Sequence, residues 1–490
     1  MKNLLNIING LDFQLLQGDL EIEISSIQYD SRKGVPNSLF VAIEGEEFDG
    51  HNFIESAIEK GAKAILCEKM DFNCSPNVAV LKVENSRKAL ARLSHNWYER
   101  PTENMCIIGV TGTNGKTTTT FLLKSIFEKA GYKVALIGTT GIIIGNEFLP
   151  ANHTTPESLE LAAAFNLMES KDVDFVAMEV SSHALSQHRC DFIDFDAALF
   201  TNLTLDHLDY HKTMEDYAYA KKNLFDSMKS DSISIAIFNE DWTDFLLRDC
   251  KSERKFSIGY GQKDHFQIEN ILLGAFGTQF SLKANDETIK IKSPLIGKFN
   301  IENLALAASL ARSKGISKEL IESALAEAVG APGRMQKVLL ESGAIGIVDY
   351  AHSPDALEKA LLACKEILKD DGNQPANLIC VFGCGGDRDK SKRPKMGKIA
   401  ATLANQVVIT DDNPRTELSE KIIDEIFQGI EERYKDKVKR ISNRAEAIAY
   451  AKKISQKGGL VLIAGKGHEN YQIIGKEKHH FDDLEELMKT

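Results

Sequence analysis

Residues 105–117 read MCIIGVTGTNGKT. The apolar run from Met105 to Val110 predicts a buried strand. The periodicity from Lys116 to Ala130 predicts a helix with Phe121, Leu122, Ile126 and Phe127 on one face and Gly131 as its stop. Gly112 and Gly115 lie between them. Strand, glycine loop and helix start together form a phosphate cradle: glycines let successive backbone N–H groups face one anion, and the helix N-terminus adds partial positive charge. Lys116 is placed to reach the outer phosphates of a nucleotide, and the Thr117 hydroxyl to ligate Mg²⁺. The spacing departs from the usual phosphate loop, which would need glycine at position 110, where this chain has valine.

Length and charge bound the rest. A chain of 490 residues is too long for one core and predicts about three domains. With 43% hydrophobic and 27% charged residues the composition is that of a soluble globular protein. A net charge of -12 argues against an extended nucleic-acid surface, and it requires any basic groups that handle anionic substrates to be concentrated locally. The eight cysteines are scattered, mostly in apolar runs such as Ile379-Cys380-Val381, and Cys380 and Cys384 are not spaced as a zinc pair. Buried, reduced thiols of a cytosolic protein are expected. The N-terminal MKNLLNIINGLDF has too short an apolar core for a signal peptide, and no apolar run approaches the roughly 18 residues of a spanning helix. A cytoplasmic monomer without membrane insertion is the expectation.

Residues 1 to about 100 read as a small α/β unit. Ser38 to Ile43 and Ala64 to Cys67 are strands, a helix follows Asp49 to Phe53 and ends near Gly61, and Asn85 to Tyr98 is a second helix. Asp30-Ser31-Arg32 and His51 look like loop surface, and Pro101 to Asn104 like a linker. Strands and helices then alternate to about residue 330, with strands at Lys133 to Gly138, Asp174 to Val180, Ala197 to Asn202 and Ser232 to Asn239. This alternation predicts parallel strands with crossover helices. Ser257 to Gly259 and Thr278 to Leu282 are weaker and read as peripheral strands. Beyond Pro332-Gly333, four apolar runs each open onto a polar loop. Ile345 to Val348 leads to DYAHSPD at 349–355, Leu378 to Phe382 to GCGGDRD at 383–389, Gln406 to Thr410 to DDNPR at 411–415, and Leu460 to Ala464 to GKGHE at 465–469. Helices are expected between them, at Asp355 to Leu368 and Glu420 to Tyr434. Ligands of open α/β sheets bind outside the carboxyl ends of the strands, so four such loops point to a substrate site.

Several side chains are candidates for chemistry. Glu179 ends a strand near the phosphate loop, a natural place for a Mg²⁺ ligand. DHLDYH at 206–211 carries two aspartates and two histidines, a cluster suited to metal or phosphate. His188-Arg189, Arg334, Arg388 and Arg415 are candidate anion binders, because guanidinium contacts carboxylate or phosphate bidentately. Composition reads Lys221 and Lys222 as the solvated face of an amphipathic helix.

The motifs TGTNGKT (111–117), EVSSH (179–183), Thr201-Asn202 with DHLDYH, GKFN (297–300) with Asn303, and DYAHSPD together resemble the Mur ligase family, ATP-dependent amide-forming enzymes of peptidoglycan synthesis. They run in family order over roughly residues 25–483, and the displaced glycine is normal in that family. NHTTP (152–156), GGDRD, DNPR and GKGHE resemble the branch that adds the third amino acid, and the DNPR form is associated with meso-2,6-diaminopimelate.

The resemblance implies an α/β fold of three domains. These are a small UDP-binding N-terminal domain (1–102), a central P-loop-type ATPase domain with a mostly parallel sheet (103–333), and a Rossmann-like C-terminal domain that binds the amino acid (334–490). It implies that Lys116, Glu179, His207 and Lys221 are catalytic, that Lys221 is carbamylated, and that Thr117, Glu179, His207 and Lys221 hold Mg²⁺. ATP would be approached by Gly112, Thr113, Asn114, Gly115, Lys116, Thr117 and Thr118, and by Asn303, Arg334, Asp349 and His352. The UDP-muramoyl-dipeptide would meet Ser31, Thr154, Thr155, Ser182, Gln187, Arg189 and Lys221. Diaminopimelate would meet Arg388, Asp412, Asn413, Pro414 and Arg415, with Glu469 and the Gly465 carbonyl on its distal ammonium. Diaminopimelate has a second carboxylate for Arg415, and lysine has none. Two alternatives stay open: a sibling ligase (adding lysine or D-alanyl-D-alanine, or a folylpolyglutamate synthetase), or a nucleotide-binding protein that keeps the fold without the chemistry.

Overall fold

Alternation within the first strands explains the N-terminal layers. In a computed structural model, the five-stranded sheet runs Gln14–Gln17, Ala79–Lys82, Ala64–Cys67, Ser38–Val41, Ser26–Gln28, parallel except for the first strand. Successive side chains of a strand point to opposite faces. Leu39, Val41, Leu66 and Leu81 therefore pack on Ala89, Leu90 and Leu93 of the helix Ser86–Trp97, while Phe40, Ile65 and Val80 pack with Ile54 and Ala57 of the helix Ile54–Glu59. His51 is not the loop surface expected of it. Its ring contacts Asp49 Oδ1 at 2.6 Å and accepts the Glu68 N–H at 3.0 Å, so it ties two loops. The segment expected as a linker is a turn in which Pro101 and Thr102 are buried.

The structure describes residues 1–489 except 46, 47, 71, 73, 74, 239, 240, 275, 276 and 370–376. The described chain divides into two compact units, residues 1–120 with 127–257, and residues 121–126 with 258–490. In the first, the strands Val134–Gly138, Phe175–Glu179, Cys106–Thr111, Ala197–Phe200 and Ile233–Ile237 lie side by side and parallel, as the alternation predicts. The Ser232 to Asn239 strand is thus shorter than expected, and position 239 lies outside the described residues. All five strands are almost wholly buried, as sheets covered on both faces are. The antiparallel hairpin Gly141–Ile144 with Glu147–Leu149 was not foreseen. In the register Val110 faces both Glu179 and Leu199, which brings Glu179 level with the start of the phosphate loop.

In the second unit, Phe266–Gly274, Gly277–Ala284 and Glu287–Ser293 form an antiparallel ribbon, longer than the weak runs suggested because only alternate residues are buried. Its larger sheet runs Gln336–Leu339, Ile345–Asp349, Leu460–Ala464, Leu378–Phe382, Gln406–Ile409, Val438–Arg440, parallel from Ile345–Asp349 onward. Asp349 is level with Ala464, Phe382 and Ile409. The four polar loops therefore leave one edge of one sheet. The helix expected over 420–434 stops at Gln428. Gly429 lies so close to the helix Lys392–Leu403 that a Cβ there would fall 2.0 Å from the Pro394 carbonyl oxygen, and the chain turns away.

Cys67, Cys190, Cys250, Cys364, Cys380 and Cys384 are buried and Cys106 is half-buried, with no disulfide among the described residues; Cys74 lies outside them. Burial pushes the Cys380 and Cys384 thiols up to about 12. Among the described residues no helix is long and apolar enough to cross a membrane.

Candidate active site

The phosphate loop is held in place by the neighbouring strand end. Asn202 O accepts the Thr113 N–H at 2.8 Å, Asn202 Oδ1 accepts the Asn114 N–H at 3.0 Å, and Thr201 Oγ1 donates to Asn114 O at 2.6 Å. Gly112 has φ of +146°, and a Cβ there would fall 1.9 Å from Thr201 Oγ1. Gly112→Ala is accordingly expected to weaken nucleotide binding about 10- to 100-fold, read by titration calorimetry with ATP, since strain of this kind is worth about 1–3 kcal/mol. Lys116 Nζ donates to the carbonyls of Gly112 and Thr113, both at 2.9 Å. Thr117 and Thr118 are buried in the first turn of the helix Lys116–Lys129.

Glu179 is buried beside this loop. Its carboxylate accepts the Thr117 hydroxyl at 3.0 Å, the Thr139 N–H at 2.9 Å and the Thr139 hydroxyl at 3.2 Å. Gly138 makes room for it, because a Cβ there would sit 2.2 Å from Glu179 Oε1. Carboxylate and hydroxyl oxygens side by side are a donor set suited to Mg²⁺. Among the described residues no group of three His, Cys, Asp or Glu lies close enough together to hold a metal by itself, and Mg²⁺ commonly completes its shell with water and substrate phosphate oxygens.

Lys221 and Lys222 are not solvated. Both are buried on the helix Met214–Asp226. Lys222 pairs with Asp226, while Lys221 Nζ lies 4.3 Å above the Tyr217 ring and donates to the Gly112 carbonyl at 3.0 Å. Lys221 therefore shares an acceptor with Lys116. Burial, with the Lys116 charge beside it, pushes the Lys221 amine well below its ordinary value. Composition and periodicity do not mark this lysine, because they cannot say which polar stripe packs on a loop; the family resemblance alone singles it out.

His207 sits in left-handed backbone (φ 54°) at the start of the short helix Leu208–His211. Its ring is edge-on to His183 at 4.8 Å, and burial lowers its basicity. His211 lies 2.8 Å from the Ser182 hydroxyl and stacks on Tyr217 at 5.1 Å. The expected dipeptide-binding residues, Ser31 apart, also gather here. Thr154 Oγ1 is 3.2 Å from Thr139 Oγ1, and Thr155 Oγ1 donates to the Glu179 carbonyl at 2.8 Å. Arg189 donates to Thr155 O at 3.0 Å and to Gln187 Oε1 at 2.5 Å, and it pairs with Glu157 at 2.9 Å. Ser31 stands apart in a 3-10 turn, its carbonyl accepting from Lys60 at 2.7 Å.

The second unit carries the remaining candidates. Asp349 accepts the Met335 and Ala351 N–H groups at 2.8 and 2.9 Å, and burial raises its carboxyl above the ordinary range. Arg334 lies 4.7 Å over the Tyr350 ring, and His352 Nδ1 is 2.9 Å from Tyr350 O. Asn303 is buried on the helix Lys298–Ser313 and donates to Asn300 Oδ1 at 3.1 Å.

At the other loops, Arg415 Nη1 donates to Gly386 O at 2.8 Å. A Cβ on Gly385 would meet Arg415 Nη1 at 3.0 Å and Arg388 Cγ at 3.6 Å, so the Arg415 guanidinium and the stem of Arg388 flank the same glycine. Glu469 accepts from Asn413 Nδ2 at 2.9 Å and pairs with Lys466 at 3.2 Å. Asp412 packs against Gly465, whose Cβ would fall 2.6 Å from Asp412 Oδ2. Sequence reasoning did not single out Lys466, which is fully buried, or the Arg444–Asp483 pair. Arg444 contacts Asp483 twice at 2.7 Å and donates to the carbonyls of Asp411 and Ala464, both at 3.1 Å, bracing two of the loops. Arg444→Met strands a buried carboxylate, and urea denaturation should show a loss of about 3–5 kcal/mol.

Three family models match consecutive segments. The Mur ligase family catalytic domain matches residues 23–98, the Mur ligase middle domain residues 110–311, and the Mur ligase glutamate ligase domain residues 333–467. The chain is 43% identical over 483 residues to UDP-N-acetylmuramoyl-L-alanyl-D-glutamate--2,6-diaminopimelate ligase 1 of Clostridium acetobutylicum, covering 98% of this chain and 97% of that one. The chain belongs to the Mur ligase family. A relative from Syntrophomonas wolfei, named as the same ligase, is also 43% identical, over 482 residues, with 98% of this chain and 97% of that one covered. A solved structure of a UDP-N-acetylmuramoyl-L-alanyl-D-glutamate--2,6-diaminopimelate ligase superposes with a TM-score of 0.71 at 31% identity, covering 99% of this chain and 98% of that one. The fold is the three-domain α/β fold of this family, with mostly parallel sheets.

Proposed function

We propose that this chain is an ATP-dependent ligase that joins meso-2,6-diaminopimelate to the D-glutamate γ-carboxylate of UDP-N-acetylmuramoyl-L-alanyl-D-glutamate, a step of peptidoglycan precursor synthesis. The observation that carries it is full-length similarity to ligases of that name, in a chain whose Arg415 guanidinium and Arg388 stem flank Gly385. Boundaries near residues 102 and 333 are the proposed divisions between UDP-binding, ATP-binding and amino-acid-binding domains.

The γ-carboxylate oxygen attacks the ATP γ-phosphorus, the bond to the ADP oxygen breaks, and an acyl phosphate forms. The α-amine at the L-centre of diaminopimelate then attacks the acyl carbon. A tetrahedral intermediate collapses to the amide, releasing phosphate, and the amine loses its proton. Two anions meet in the first step, so charge compensation is the main demand. Lys116 supplies one cation next to the phosphates. Thr117 and Glu179, with His207 and a carbamate on Lys221, would hold Mg²⁺, which when bound neutralises charge on the phosphate oxygens. The depressed Lys221 amine supports the carbamate, because only a neutral amine adds to carbon dioxide. The other ATP contacts are assigned to Gly112 through Gly115, Thr118, Asn303, Arg334, Asp349 and His352. The dipeptide contacts are assigned to Thr154, Thr155, Ser182, Gln187 and Arg189, and the uridine diphosphate contact to Ser31. Asp412, Asn413, Pro414, Arg415, Arg388, Gly465 and Glu469 receive diaminopimelate. Acting on a nucleotide-linked precursor, the enzyme is placed in the cytoplasm.

Hydroxylamine intercepts acyl phosphates. With ATP and the UDP-muramoyl-dipeptide but no amino acid, it should yield the γ-hydroxamate and ADP. ATP-independent hydroxamate, or none at all, would remove the acyl-phosphate step.

A further inference from the structure

Arg388 and Arg415 stand on different loops, at the ends of neighbouring strands, so their spacing depends on what joins those loops. The join is dense. Gly386 N–H donates to Asn413 O at 2.9 Å, and a Cβ on Gly386 would fall 1.9 Å from Pro414 O. The Thr416 hydroxyl donates to both Asp387 carboxylate oxygens at 2.9 Å, and the Asp387 N–H donates to Glu417 Oε1 at 2.6 Å. Beneath them lies Arg393, fully buried. Its guanidinium meets Glu417 at 2.9 and 3.1 Å, Glu425 at 2.7 Å and the Gly385 carbonyl at 3.1 Å. Arg393 thus holds the first loop by Gly385 and the second by Glu417. Asp387 and Arg415 both lie in left-handed backbone, with φ of 53° and 51°. Such residues persist where surrounding contacts over-determine them. Arg393, hydrogen-bonded to Glu417, holds that carboxyl well below the ordinary range, so the pair stays ionised.

We infer that Arg393 and Glu417 form a positioning clasp that sets the acceptor specificity, fixing Arg415 against the Arg388 loop at the spacing a distal carboxylate requires. The inference rests on the proposed acceptor. A planar fork on a carboxylate fixes both distance and angle, which lysine at 393 could not do. Neither side chain is assigned a contact with substrate.

The test is steady-state kinetics of the full-length enzyme with each substrate varied in turn, for Glu417→Gln, Arg393→Lys and Thr416→Val, with Arg415→Ala as reference. Glu417→Gln and Arg393→Lys should raise KM for diaminopimelate about 10- to 100-fold, the scale on which small misplacements act. Their kcat and their KM for ATP and the nucleotide substrate should stay within about threefold, and preference for diaminopimelate over lysine should fall in step with the KM change. Thr416→Val, which spares the buried pair, should shift the same KM in the same direction but less. Equal losses in all parameters would mean a structural role only and overturn the clasp, as would an unchanged diaminopimelate KM in Glu417→Gln and Thr416→Val. If Arg415→Ala itself uses diaminopimelate normally, the acceptor assignment fails; if only the clasp variants behave as wild type, the clasp alone fails.

Discussion

Lys221→Ala should lower ligation about 10²- to 10³-fold, the scale of losing a preorganised charge-stabilising group. The amine is buried against the phosphate loop, bonded to the Gly112 carbonyl, and its acceptor is shared with Lys116. A plain ammonium there would be a second cation in a dry site, and burial disfavours it. A carbamate instead would supply an anionic oxygen donor beside the phosphate loop, where the amine meets the Gly112 carbonyl. Lys221→Arg separates the two roles, because guanidinium keeps the positive charge and cannot be carbamylated. It should be as inactive as the alanine variant, and substantial activity in Lys221→Arg would contradict the carbamate. Carbon-13 NMR of protein equilibrated with labelled bicarbonate should show a carbamate signal that Lys221→Ala lacks.

Arg415→Ala should cut kcat/KM for diaminopimelate about 100- to 1,000-fold, since truncating one partner of a buried charged contact costs about 2–5 kcal/mol. Lysine, lacking the distal carboxylate, should be used as poorly as before. The cost arises only with the acceptor bound, so KM for ATP should hold. Retention of full diaminopimelate use would remove the role given to Arg415. Arg415→Lys is informative too. A point charge keeps attraction but loses the fork, so an intermediate loss is expected.

Chain periodicity made the architecture legible because the two larger sheets are mostly parallel and buried, so their strands appear as plain apolar runs. The register placing Asp349, Ala464, Phe382 and Ile409 at one level was implicit in the four loops that follow those runs. Half-buried antiparallel strands such as Gly277–Ala284 left a weaker trace. The phosphate loop was readable despite its irregular spacing because an apolar strand run precedes Gly112 to Thr117 and a periodic helix with Gly131 as its stop follows. Composition misread Lys221, since its burial depends on a helix packing onto a loop more than a hundred residues earlier, and only the family resemblance singled it out. Arg393 and Arg444 were hidden for the same reason. A buried arginine is marked by its partners, here Glu417, Glu425 and Asp483, and those are distant in sequence. The helix that ends at Gln428 shows the converse, a tertiary approach at Gly429 overriding local helical periodicity.

The most direct test is ADP release by the purified protein with Mg²⁺, ATP and UDP-N-acetylmuramoyl-L-alanyl-D-glutamate, comparing meso-2,6-diaminopimelate, L-lysine, D-alanyl-D-alanine and no acceptor. Sustained release with diaminopimelate, far above the other three, accompanied by the UDP-muramoyl-tripeptide, is the expected result. Equal or faster turnover with lysine would contradict the assigned acceptor, and no release with any acceptor would contradict the ligase itself.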